Sequence, residues 1–268
     1  MNKKLTVLLT NDDGFHADGI KILYAELIKH FSVIVVAPEH EKSGVGHAFT
    51  FNNPLHYIKS EESDFYKGYI VSGTPADCVK FAIGHLLSTK PDIVVSGINN
   101  GENSGLSAFY SGTVAAAREG AFWNIPSFAF SVCTEAFSHV KEYAAIVPSM
   151  IEHVLKSDNV AASPRVYYNV NFPACPLSDV KSTKVTWQSL AFFDDRYKRI
   201  ESKTHKSGEG YVVYGEKKDI EKSDAFDSKA LTENVITVTP LTFDSTAHQA
   251  IPHLLKLEKE DFLRGDFK

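Results

Sequence analysis

A set of short apolar runs separated by helical spacing constrains the fold of this chain more than any other feature. Residues 5–10 (LTVLLT), 32–37 (SVIVVA) and 92–96 (DIVVS) are rich in Val, Ile and Leu, with no useful polar alternation. A strand with one wet face alternates, so a run that does not is predicted as a strand covered on both faces. Residues 19–30 place Ile20, Leu23, Leu27 and Ile28 at helical spacing. Residues 75–87 read as a helix with a marked start, since Thr74 can cap, Pro75 fits the first turn and Asp77 falls where a capping-box acid belongs. Residues 113–123 and 143–155 read as further helices, 126–132 and 165–171 as further strands, and 47–51 and 55–58 as shorter ones. This alternation predicts an α/β protein with a mostly parallel sheet sandwiched by helices.

After Val180 the chain gains charges, aromatic residues and β-prone pieces at 184–187, 211–214 and 236–240, and closes with helical spacing over 247–259. The expected division is therefore residues 1–180 as the α/β domain and 181–268 as an extension used in oligomer contacts. A net charge of −5 argues against a coat for nucleic acid or an anionic membrane surface. No run is long enough to span a bilayer, and the apolar stretch near the N-terminus is too short for a secretory signal. Cys78, Cys133 and Cys175 are odd in number and widely spaced, so they are expected as reduced, buried thiols in a cytoplasmic protein.

The polar residues that follow the buried strands carry the functional reading. Asn11, Asp12 and Asp13 follow the first, Ser43 and Gly44 the second, and Ser96, Gly97 and Asn99 the third. Parallel strands share a carboxyl end, so the three loops converge on one sheet edge. An isolated Asp-Asp-Gly is most simply a solvated turn, and only the convergence turns it into a site. Two carboxylates, a hydroxyl and an amide oxygen make an all-oxygen ligand set suited to Mg²⁺ or Mn²⁺, which would offset the repulsion between the acids. Ser111, Gly112 and Thr113 open the alanine-rich helix, where free N–H groups and hydroxyls suit an anion. The similar Ser72–Gly73–Thr74 turn is read as plain capping. His16 and His47 are expected at most behind the site, and Glu119 and the acidic run at 258–261 as solvated helix surface.

The blocks TNDDG, VVAPEHEKSGVGHAFT, SGTPADCVK, VVSGINNGENSG, YSGTVAAAREGA and YNVNFP occur in an order and spacing that resemble the SurE family of 5′/3′-nucleotidases. VITVTPL resembles the family's C-terminal block, although Glu233-Asn234 replaces a usual Gly-Tyr and the acid of an upstream Thr-Asp pair is matched to Asp224. The resemblance implies a Rossmann-like fold with a hairpin exchanged between subunits of a homodimer or homotetramer. It implies one divalent cation held by Asp12, Asp13, Ser43 and Asn99. It also implies hydrolysis of nucleoside monophosphates and, in some members, of short polyphosphate, with Asn11 and the Ser111–Gly112–Thr113 turn around the phosphate and Gly44 beside it.

On this reading the cation activates water, Asp12 or Asp13 takes its proton, and Asn11 and Ser111 hold phosphate oxygens. A non-catalytic nucleotide-binding module is the alternative on the same scaffold. A nucleotide-sugar transferase has no specific support, and a dinucleotide oxidoreductase is disfavoured because the first strand leads into TNDDG and not a GxGxxG turn.

Overall fold

A computed structural model describes residues 4–60, 66–157, 165–201 and 208–255. Strand β1 (Thr6–Thr10) leads into α1 (Asp18–His30) and β2 (Ser32–Pro38), followed by β3 (Tyr57–Ser60), β4 (Gly68–Val71) and α2 (Pro75–Phe81), which runs on through a π-helical turn at Ala82–Leu86. Next come β5 (Ile93–Asn100), α3 (Ser107–Tyr110), α4 (Gly112–Phe122), β6 (Ser127–Val132), α5 (Val140–Lys156) and β7 (Val166–Phe172). The remainder comprises β8 (Ser182–Val185), β9 (Phe192–Glu201), β10 (Glu209–Lys218), α6 (Asp227–Thr232), β11 (Val235–Thr242) and α7 (Ile251–Leu254).

Among the described residues nine strands form one sheet in the order β3-β4-β2-β1-β5-β6-β7-β11-β8, while β9 and β10 pair only with each other. From β4 to β7 all neighbours are parallel. Strand β3 runs antiparallel to β4, and β11 to β7. The central strands lack polar alternation because both faces are covered. Val7 and Leu9 of β1 pack with Leu23, Tyr143, Val147 and Ile151 beneath α1 and α5. Leu8 between them packs with Val36, Val79, Val94 and Ala116 beneath α2 and α4.

The predicted α/β class and most elements hold, with shifts that have local causes. No strand forms at 47–51, where Thr50 gives its backbone N–H and its hydroxyl to Asp77. The short strand expected at 55–58 lies instead at Tyr57–Ser60, against the unanticipated β4. The division at 180 does not match a break in the sheet, because β8 and β11 complete it and only the β9–β10 hairpin stands apart. Asp227, rather than Asp224, is the buried acid of the C-terminal segment, accepting from the backbone of Gly105, Ser189 and Ser228. Asp224 pairs with Lys184 near the surface. Asn234 takes φ +61°, a left-handed position that Asn tolerates, one residue past the Glu233 that was matched to glycine. The last predicted helix begins late, since residues 247–250 form loop and turn and only Ile251–Leu254 are α-helical, while residues 256–259 and the rest of the run at 258–261 lie outside the described residues. Cys78, Cys133 and Cys175 are buried and free. Among the described residues, no helix is long and apolar enough to cross a membrane.

Candidate active site

Strand order reverses at β1, with β2 on one side and β5 on the other, and the carboxyl ends of all three open on one edge. Open α/β sheets form ligand clefts at such a switch point. Here the cleft measures about 300 Å³, and Asp12, Ser43, Gly44, Asn99 and Ser111 all line it. Three loops distant in sequence therefore do meet.

Asp12 sits at the N-terminus of α4. The Thr113 hydroxyl donates to its Oδ1, and backbone hydrogen bonds from Thr113 and Gly112 reach the same carboxylate. Helix-end N–H groups favour an anion, yet burial dominates and holds the Asp12 pKa above the usual carboxylate range. Gly112 is required for this approach, since a Cβ there would lie 2.8 Å from Asp12 Cβ. Asp13 is half-buried beside it. Burial first, then the charges of Asp12 and Glu41, push its carboxyl up to about 7, against a backbone hydrogen bond from Asn100. Gly14, at φ +102°, makes the turn, and Asn11 Nδ2 ties it by donating to Gly14 O at 2.9 Å.

The second loop docks on the first and on α3. Lys42 N donates to Asp12 O at 2.7 Å and Gly46 N to Tyr110 O at 2.8 Å. Ser43 Oγ donates to Glu41 Oε1 at 2.6 Å, which leaves its lone pairs for another partner. In β5 the register with β6 shifts between Ser96 and Asn99, a bulge that re-aims the end of the strand. Gly97 permits it at φ +131°, where a Cβ would meet Phe130 O at 2.3 Å. Asn99 thus lies on the strand rather than in the loop expected to follow it. Its Nδ2 donates to Gly101 O at 2.6 Å, leaving Oδ1 to ligate.

Each candidate ligand therefore keeps oxygen lone pairs while its hydrogens are committed elsewhere. Two carboxylates with raised pKa values, a hydroxyl and an amide oxygen fit a hard cation, and no Lys or Arg is among the described residues lining the cleft. Among the described residues no group of three His, Cys, Asp or Glu side chains forms a metal cluster, so a cation here would draw half its ligands from neutral oxygens.

Some predicted residues have other roles. Asn11 is fully buried and holds the Gly14 turn, with no place in the cleft lining. Thr113 turns its hydroxyl to Asp12, so it and Gly112 back the carboxylate from behind. Ser111 lines the cleft and also caps α4, its Oγ accepting from Val114 N at 3.1 Å. Glu119 is not solvated surface. It is 4% exposed and receives Trp123 Nε1 and His47, with Lys80 nearby. Burial works to raise its pKa, but those hydrogen bonds and the Lys80 charge prevail and hold it low. His47 thereby anchors the loop that carries Ser43.

Sequence reasoning passed over Glu102, Asn103, Ser107 and Phe193, which also line the cleft. Asn103 had an indirect signal in YNVNFP. Asn169 donates to its carbonyl and Asn171 accepts its N–H, while its side chain reaches Ser131, so the two buried strand asparagines fix the loop. Phe193 arrives on the hairpin, which nothing local connects to the site.

Fold and cleft together define an open, mostly parallel α/β protein with an acidic, oxygen-lined pocket at its strand switch point. The family model described as "Survival protein SurE" matches residues 7–195, and the chain belongs to that family. It is 41% identical over 259 residues to the 5′-nucleotidase SurE of Syntrophobacter fumaroxidans, covering 94% of this chain and 99% of the relative. With the 5′-nucleotidase SurE of Thermosipho africanus it shares 37% identity over 262 residues, covering 97% and 100%. The crystal structure of the SurE protein from Aquifex aeolicus is similar at a TM-score of 0.79 and 35% identity, covering 94% of this chain and 99% of that one.

Proposed function

We propose that this protein is a divalent-metal-dependent phosphatase that hydrolyses nucleoside 5′- and 3′-monophosphates to nucleoside and phosphate. The observation that carries the reading is the cleft's charge. Desolvation pushes up the carboxyl of Asp12 in its wall and that of Asp13 next along the turn, and no basic side chain among the described lining residues is available for an anion. A phosphate would enter only with a cation between it and the acids. The nucleotidase names of the curated relatives support the same reading.

Asp12, Asp13, Ser43 and Asn99 would hold Mg²⁺ or Mn²⁺, which when bound neutralises phosphoryl charge and lowers the pKa of water. Asp12 is committed to Thr113 and the start of α4, so a carboxylate oxygen of Asp13 is the better acceptor for the proton of the attacking water. Ser111 Oγ accepts from Val114 N and keeps its own O–H to donate to a phosphate oxygen, beside the N-terminus of α4. Attack at phosphorus breaks the ester P–O bond and releases the nucleoside hydroxyl.

The chain would act as a homodimer or homotetramer, and its buried free thiols suit the reducing cytoplasm. The test is phosphate release from a panel of nucleoside monophosphates with Mg²⁺, Mn²⁺ and EDTA. Turnover should need the metal and fall about 100-fold or more in Asp12→Asn and Asp13→Asn. Nucleotide affinity that persists in EDTA, without phosphate release in metal, would identify a binding module instead.

A further inference from the structure

A second cavity, of about 510 Å³, adjoins the cleft and shares two of its walls, Glu102 and Phe193. Its size lies in the range of small-molecule sites. Glu102 forms the partition and is held rigidly. Its Oε2 accepts from Ser104 N at 2.8 Å and its Oε1 from Lys217 Nζ at 2.5 Å, while Lys217 also donates to Ser104 Oγ at 2.6 Å. Lys217 balances the Glu102 charge, so this carboxylate serves better as a fixed hydrogen-bond acceptor than as a cation ligand. Glu135 and Asp219 line the same cavity, leaving acids in excess over its one described cation, Lys217.

We infer that this second cavity is the subsite for the nucleoside half of the substrate, with Glu102 accepting hydrogen bonds from the ribose hydroxyls and the Phe193 ring stacking on the base. The inference rests on the phosphatase reading for the placement of the phosphate in the first cleft. The acidic walls repel a second phosphate and favour a leaving group rich in O–H and N–H donors. They therefore select ribonucleoside monophosphates over nucleoside diphosphates or polyphosphate. Phe193 offers the kind of flat ring on which any base can stack.

The experiment compares kcat/KM of the full chain with Mn²⁺ for AMP, 2′,3′-dideoxy-AMP and p-nitrophenyl phosphate, alongside calorimetric binding of adenosine. The parent should favour AMP over the dideoxy compound about tenfold or more, the effect of losing hydrogen bonds to a carboxylate. Glu102→Gln should erase most of that preference and reduce AMP turnover several-fold more than aryl phosphate turnover. Phe193→Ala should weaken adenosine binding about tenfold. Equal use of AMP and its dideoxy analogue by the parent would overturn the inference, as would an equal fall on all three substrates in Glu102→Gln. Failure of every phosphate ester to react would count against the phosphatase reading alone. Adenosine binding that depends on Glu102 and Phe193 would then still uphold the subsite, and its absence would refute it.

Discussion

At the scale of single residues, the site carries an electrostatic cost that a cation would remove. Asp13 is ordinarily ionised above about pH 4, but in the folded chain its pKa rises to about 7 through burial and the neighbouring charges of Asp12 and Glu41. A raised folded pKa means that the contribution to stability is complete below the unfolded pKa and is lost as pH rises from about 4 through 7. Asp13→Asn should therefore melt several degrees above the metal-free parent at pH 8 and close to it at pH 4, while losing metal-dependent turnover. Mn²⁺ should raise the parent's melting temperature more at pH 8 than at pH 5, and the variant's hardly at all. A parent whose metal-induced shift does not depend on pH would contradict this account. Glu119 runs the other way. Its pKa is held low by His47, Trp123 and Lys80 against the opposing effect of burial, so its contribution is present above its unfolded pKa near 4.3 and fades as pH falls below it. His47→Ala removes one donor from a carboxylate that is 4% exposed and should cost about 1–3 kcal/mol at pH 7. Because His47 also ties down the Ser43 loop, Mn²⁺ affinity should weaken several-fold, and His47→Gln, which keeps a donor, should recover part of both losses.

At the scale of elements, what could be read from the sequence was what is local. The buried strands betrayed themselves by unbroken Val, Ile and Leu, and the start of α2 by a capping box that the structure contains in full. Helix α5 runs through Pro148 because Tyr143, Val147 and Ile151 bury one of its faces, a tertiary gain that outweighs the lost backbone bond. What could not be read depends on elements distant in sequence. Glu119 looks like helix surface until the loop after β2 crosses α4 and brings His47 to it. The β5 bulge depends on Phe130 of the next strand, and Phe193 on how a hairpin lies against the loop after β5. The meeting of the loops after β1 and β2 with the end of β5 was legible because it needed only shared strand polarity, whereas the division of labour within YSGT was not. One prediction belongs here. The start of α4 and the turn after β1 meet where a Gly112 Cβ would lie 2.8 Å from Asp12 Cβ and 3.1 Å from its Oδ2. Gly112→Ala should shift Asp12 and reduce metal-dependent kcat/KM more than tenfold, by the same sensitivity to sub-ångström placement that governs other preorganised sites. The protein should stay folded, with circular dichroism near that of the parent. Unchanged turnover would mean that the carboxylate can move without consequence.

At the scale of the whole molecule, the β9–β10 hairpin is the feature that one chain does not complete. Among the described residues its strands pair only with each other, and a two-stranded ribbon is marginal in water by itself. The ladder sets Tyr197 opposite Val213 and Arg199 opposite Tyr211, so these four side chains share one face, on which Tyr197, Tyr211 and Val213 are exposed. Exposed tyrosines and a valine grouped in this way are covered when a second copy packs on them, which is the state proposed for the working protein. The base of the same hairpin supplies Phe193 and Lys217 to the walls of the site. Under that proposal assembly and activity would be coupled, because Lys217 at the hairpin base is held against Glu102. The double substitution Tyr197→Lys, Val213→Lys puts two cations on the shared face and leaves the hairpin base untouched. Light scattering should find the parent as a dimer or tetramer and the variant as a monomer at micromolar concentration. AMP turnover should fall several-fold in the variant through a higher KM, while the nine-stranded sheet, which owes nothing to the ribbon, should melt within a few degrees of the parent. A parent that is already monomeric, or a monomeric variant with full AMP turnover, would separate the ribbon from the site and leave its exposed tyrosines to some other purpose.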